Sequence, residues 1–222
     1  MALASGAALL LGIGLSLSAT TAEAGPCAPG KFPASGQTTA YTADINDGTA
    51  SNPVSVPDDG TVQAGAALRY KDNGNGTITD KNTGLVWEMK CSSCGGLHDK
   101  TNTYLWSTSS ATDTIWDWLA DVNTEGGTGF AGKSDWRIPN VKELQSIVDY
   151  GRCDATLGGA CADQAAIDPI FGPTAASFYW SSTTVASFPG SAWFVDFSDG
   201  GVGGGGTSGI VHVRAVRGGC VD

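Results

Sequence analysis

Six cysteines and two histidines are the most reactive side chains of this sequence. The closest cysteines form Cys91-Ser-Ser-Cys94. Such a string can be a redox dithiol, half of a zinc site or a tight local disulfide. A redox motif needs a helix start after it to lower the thiol pKa, and none follows; a zinc site needs further ligands, and only His98 lies nearby. The local disulfide is the favoured reading. Of the other four, Cys153 and Cys161 would close a small loop, and Cys27 with Cys220 would tie the two chain ends. Six cysteines allow many connectivities, and the sequence leaves the choice open.

Catalysis of other kinds finds little material. His98 and His212 are the available imidazole bases, and no Gly-x-Ser-x-Gly or His-Glu-x-x-His string accompanies them. His212 alternates with Val211 and Val213, as a packed or surface residue of a strand does. The run Asp72-Asn73-Gly74-Asn75-Gly76-Thr77 invites a calcium reading, but an EF-hand loop needs oxygen side chains at alternate positions and the third here is Gly74. Turn chemistry accounts for it better. Asp135, Arg137 and Glu143 are spaced for an ion-pair network around a helix start, with Arg214 and Arg217 joining from the last strand. Such pairs fix orientation more than they add stability. The positive hint of binding is aromatic: Trp106, Trp118, Tyr179 and Trp193 exceed what one helix face and a few strands must bury. Rings of this kind stack on sugar faces or anchor protein partners.

The chain around these residues reads as exported. An apolar run from Ala7 to Leu17 is followed by Ala22-Glu23-Ala24, which fits a signal-peptide cleavage site and assigns residues 1–24 to a secretory signal. No later apolar stretch reaches membrane length, so no membrane insertion is expected after cleavage, and the mature protein belongs in the periplasm, at the cell surface or outside the cell. With a net charge of −10 and no Lys/Arg run, nucleic acid and anionic membranes are poor partners. Glycine at 32 positions and only 15% charged residues describe strands and turns, not a helical bundle.

Residues 25–68 form an extended, turn-rich lead-in, and 69–222 the core of the domain. "RYKDNGNGTITDKNTGLVWEMK" predicts hairpin turns at Asn73–Gly76 and Asn82–Gly84, then a strand over Leu85–Met89. A helical period begins near Thr112 and places Trp116, Leu119, Ala120 and Asn123 on one face. In "DWRIPNVKELQSIVDYG", Pro139 precedes a capping Asn140, Glu143 completes the box, and Val141, Leu144, Ile147 and Val148 make an apolar stripe ended by Gly151. "SFYWSSTT", "SAWFVDFSDG" and "GIVHVRAVRGG" read as three strands, with the glycine run 200–209 as a flexible joint between the last two. The class is α+β: two helices packed on short antiparallel sheets, with long loops and disulfides.

"ASGQTTAYTAD", "DDGTVQAG", "DNGNGTITDKNTGLVWE", "GFAGKSDWRIPNVKELQSIVD", "IDPIFG", "YWSST" and "AWFVDFSDG", with "VRAVRGG" near the end, together resemble the Lcl C-terminal domain family, over about Pro33 to Gly219. That family takes its name from the end domain of a bacterial collagen-like adhesin. Asp135, Trp136, Arg137, Pro139, Glu143, Arg214 and Arg217 fall in its structural signature. The resemblance implies a C-type-lectin-like fold whose first and last strands pair, which supports a Cys27 to Cys220 bond. The adhesin binds sulfated polysaccharide as a trimer. This chain has no collagen-like stalk, and its few cations sit in scaffold blocks, so that ligand does not carry over. Calcium has no recognised loop here, since neither Ile138-Pro139-Asn140 nor Asp168-Pro169 has the acid-proline-amide order of a lectin sugar site, and no other cofactor is expected. Arg137-Ile138-Pro139-Asn140 and Val216-Arg217-Gly218-Gly219 also resemble strings of formylglycine-generating enzymes, but "IVHVRAV" lacks the cysteine that their copper chemistry needs. The expectation is a non-enzymatic binding or adhesion module for a glycan or protein ligand. A structural, self-assembling envelope protein is the alternative, with a homo-oligomer as its consequence, and an enzyme of the formylglycine-generating type is the least favoured.

Overall fold

Asn-Gly turns organise the first sheet. In the computed structural model, which describes residues 32–38, 58–107, 113–153 and 164–218, β1 (Tyr70–Asp72), β2 (Thr77–Asp80) and β3 (Val86–Glu88) form an antiparallel meander. At the first turn the Asp72 carboxylate accepts the Gly74 N–H and the Asn75 side chain accepts the Thr77 hydroxyl, so the oxygens that invited a calcium reading serve their own loop. Gly74 and Gly76 both take positive φ, which a side chain would resist. Asp80 repeats the device at the second turn through Asn82 and Thr83.

β4 (Tyr104–Leu105) leads to α2 (Ile115–Thr124) and α3 (Val141–Gln145), which follow a first helix, α1 (Asp59–Val62), in the lead-in. Next come β5 (Phe178–Thr184), β6 (Ser191–Asp196), β7 (Val202–Gly206), β8 (Ile210–Val211) and β9 (Val216–Arg217). The sheets run β1-β2-β3-β9, β4-β8 and β5-β6-β7, every strand pair antiparallel. The architecture is mixed α and β, with a disulfide joining Cys91 to Cys94. None of the helices among the described residues is long and apolar enough to cross a membrane.

Several expectations need correction. The lead-in holds a helical turn, because Asp58 caps the Thr61 N–H and Ser35 hydrogen-bonds to Asp59. α2 buries Ile115, Trp118 and Val122 and leaves Trp116 outside, one position out of phase with the predicted face. The helix starts at a Thr114–Asp117 capping box, and that start sets the rotation. α3 has the expected Asn140–Glu143 box but ends at Gln145, short of Gly151. The glycine run is not a joint: it contains β7, and "GIVHVRAVRGG" divides into β8 and β9. Glycine is required at Gly203, where a Cβ would lie 2.7 Å from the Phe194 ring.

The β5-β6-β7 sheet separates two cores by simple alternation. Tyr179 and Val195 face a cluster with Trp87, Leu144, Ile147 and Phe171. Trp180 and Ala192 face the other, with Ile115, Trp118, Trp136 and Val213. Residues 1–24, with Cys27, Cys161 and Cys220, lie outside the described residues, and of Cys153 only the backbone is described.

Candidate functional site

Two groups of residues have the makings of a site: a surface pair of indoles and a buried charge cluster. An isolated bridge between Leu105 and Thr114 lays the start of α2 beside β4. Trp116 in the first turn of the helix then meets Trp106 just after the strand, ring centroids 5.2 Å apart and planes at 86°. Trp106 is fixed from below, its indole N–H donating to the Ser181 carbonyl at 2.8 Å and its backbone N–H to Thr207. Trp116 is 38% exposed. The result is an edge-to-face pair with one ring anchored and one presented, a geometry suited to stacking on a sugar face or an apolar side chain.

The four aromatic residues proposed from the sequence divide evenly. Trp106 is half-buried at this pair, and Trp193 is half-buried on β6 opposite Gly204. Trp118 and Tyr179 are buried core residues. The Trp118 indole donates to Leu97 O under the Lys90 ammonium, and Tyr179 accepts the Ala175 N–H and stacks on His212. Trp116 was missed through the helix phase; the Thr114-x-x-Asp117 string was the signal that could have corrected it.

The charge cluster was also missed. Glu88 and Lys90, two apart on β3 and its extension, turn to the same buried side. Glu88 Oε1 accepts from Lys90 Nζ and from His98 Nδ1, both at 2.7 Å, and its Oε2 accepts the Ala215 N–H at 2.8 Å. Burial alone would raise the Glu88 pKa, but the Lys90 charge and the His98 hydrogen bond outweigh it and hold the carboxylate below its ordinary range. His98 Nε2 reaches Glu125 at 3.0 Å, and its ring lies 3.9 Å from that of Phe130. Burial opposes charging His98 as well, and there too the two carboxylates prevail and raise its pKa. Both carboxylate oxygens of Glu88 are engaged within the protein, so the cluster fastens β3 to its surroundings.

Arg214 does not join the ion-pair network at the start of α3. It precedes β9 and is fully buried, with its guanidinium donating to Glu88 O, Phe171 O and the Thr174 hydroxyl. Arg217 does pair with Asp135, at 2.7 and 2.9 Å, and Arg137 with Glu143 at 2.7 Å through both nitrogens. Pro139 supplies the carbonyl that accepts the Ser182 N–H, and Trp136 packs in the second core. Among the described residues, no three His, Cys, Asp or Glu side chains are gathered to hold a metal ion.

The blocks that make up this scaffold coincide with a known family model, that of the Lcl C-terminal domain, which matches residues 76–217. The chain belongs to that family. A search of the curated proteins finds none that matches. The Lcl C-terminal domain match spans β2 through β9 and takes in the Arg137–Glu143 and Arg217–Asp135 forks, the buried Arg214 and the Trp106–Trp116 pair.

Proposed function

We propose that this chain is an exported, non-enzymatic binding module with a C-type-lectin-like fold, which takes a glycan or protein ligand at its surface indoles. The observation that carries this reading is the Trp106–Trp116 pair: a large apolar ring held out at the surface by a second ring whose polar atom is already satisfied. Anchored aromatic residues of this sort are the usual centres of binding energy. The export signal read at residues 1–24 supports a place in the periplasm, at the cell surface or outside the cell. The commitment of Glu88, Lys90 and His98 to one another supports a binding role over a catalytic one.

A glycan array and a panel of envelope proteins, probed with and without calcium, test the reading. Trp116→Ala should weaken any interaction found by roughly tenfold or more while leaving the thermal transition nearly unchanged. Equal binding by the variant, or binding by neither protein to any probe, defeats the proposal. Concentration-dependent assembly in light scattering, as the sole interaction, would move the assignment to an envelope-building role.

A further inference from the structure

Open sheet edges capture other strands unless they are covered or charged. Elsewhere in this fold the edges are managed. β1 carries Lys71 and Asp72, Arg137 exchanges both backbone hydrogen bonds with Val216 beside β9, and His212 covers β5 by bonding to Phe178 and Trp180. β7 is different. The Asp196 N–H donates to Gly201 O and the Thr207 N–H to Gly190 O, so in the register that pairs Phe194 with Gly203 the odd-numbered residues of β7 turn toward β6. The N–H and C=O groups of Val202 and Gly204, and the N–H of Gly206, point away, and all three residues are exposed. Among the described residues nothing pairs with them, and residues 200–211 contain no charge and no proline.

We propose that the β7 edge is a strand-addition site for an extended segment of a partner protein, with large apolar side chains at alternate positions and a basic residue at the Asp199 end. After Val202, β7 is four glycines and supplies backbone without side chains. Gly203 and Gly205 leave the half-buried Phe194 ring without a cover from β7 on one face, and Gly204 leaves the half-buried Val185 so on the other. An added strand with alternating side chains fills both shelves while its backbone satisfies the edge. A second copy pairing through its own β7 would bring one valine and otherwise glycine to those shelves, and would press together two chains of charge −10. Asp199, exposed in the β6–β7 turn, with Asp196 beside it, favours a basic end on the guest. This surface shares no residue with the Trp106–Trp116 pair, so either can fail without the other.

The test is an NMR titration of the isotopically labelled full chain with a synthetic Lys-Val-Thr-Val-Thr-Val peptide. Amide exchange should slow at Val202, Gly204 and Gly206 while Gly203 and Gly205 stay as they were. The same peptide N-methylated at alternate amides should not bind. Val202→Lys should weaken binding by roughly tenfold, and Val202→Thr should retain it. The proposal is overturned by shifts that map elsewhere, by equal binding of the N-methylated peptide, or by slow exchange of the three amides before peptide is added. Protection that grows with protein concentration alone would assign the edge to a second copy instead, and overturn it too.

Discussion

His98 Nδ1 stands 2.7 Å from Oε1 of the fully buried Glu88, while the opposite ring nitrogen meets Glu125 at 3.0 Å. With an acceptor on each side, both contacts are hydrogen bonds only when the imidazole carries two protons. Glu88 sits on β3 and Glu125 follows α2, so the protonated ring ties the first sheet to the end of the helix. Its folded pKa lies above the unfolded value of about 6.5, so the stabilisation is complete below that pH and is lost as pH rises through the folded pKa. Melting temperature should therefore fall on going from about pH 6 to about pH 9, and His98→Gln should flatten the fall. An unchanged slope in the variant would show that another group titrates.

The Glu88–Lys90 pair predicts a strongly non-additive response. Lys90→Met leaves a buried carboxylate with its histidine and one backbone N–H, and should cost about 3–5 kcal/mol in urea unfolding. Glu88→Gln combined with Lys90→Met removes both charges and should be less damaging than Lys90→Met alone. If the double variant is the sum of the singles, the two side chains are not coupled as their 2.7 Å contact requires.

Gly203 predicts a steric coupling across β6 and β7. A side chain there meets the Phe194 ring at 2.7 Å, so Gly203→Val should destabilise by about 1–3 kcal/mol. In a Phe194→Ala background the same substitution should be nearly neutral, since valine favours strands once the ring is gone. A full cost in both backgrounds would place the strain in the backbone.

Local rules made much of this fold legible. Asn73–Gly76 and Asn82–Gly84 form the predicted turns because glycine and Asx side chains satisfy those turns without help from the rest of the chain. The Asn140–Glu143 box is local too. The errors arise where distant residues decide. The glycines of β7 have low strand propensity, and at Gly203 and Gly205 it is the Phe194 ring on the neighbouring strand that takes the space of a side chain. Arg214 looks like a surface cation until Glu88 O, Phe171 O and Thr174 are brought around it from far along the chain. The proposed binding surface suffered most, because a rotation of α2 by one position exchanges Trp118 for Trp116 at the surface.

The Arg137–Glu143 fork separates capping from ion pairing. Glu143 Oε2 accepts the Asn140 N–H at 2.9 Å as well as one guanidinium nitrogen, and Arg137 continues to Gly218 O, so one carboxylate both starts α3 and ties it to the segment after β9. Arg137 is 39% exposed, which screens the charge interaction and limits its worth to about 1 kcal/mol or less. Glu143→Gln keeps an acceptor for the Asn140 N–H and loses only the charge, so it should cost no more than that. Glu143→Ala loses both functions and should cost about 1–2 kcal/mol. Arg137→Ala should cost somewhat more than Glu143→Gln in urea unfolding, since it also loses the bond to Gly218 O, and the gap between Gln and Ala at position 143 should survive in high salt, because a backbone cap is not screened as an exposed ion pair is. If salt closes the gap, the fork and not the cap holds the start of α3.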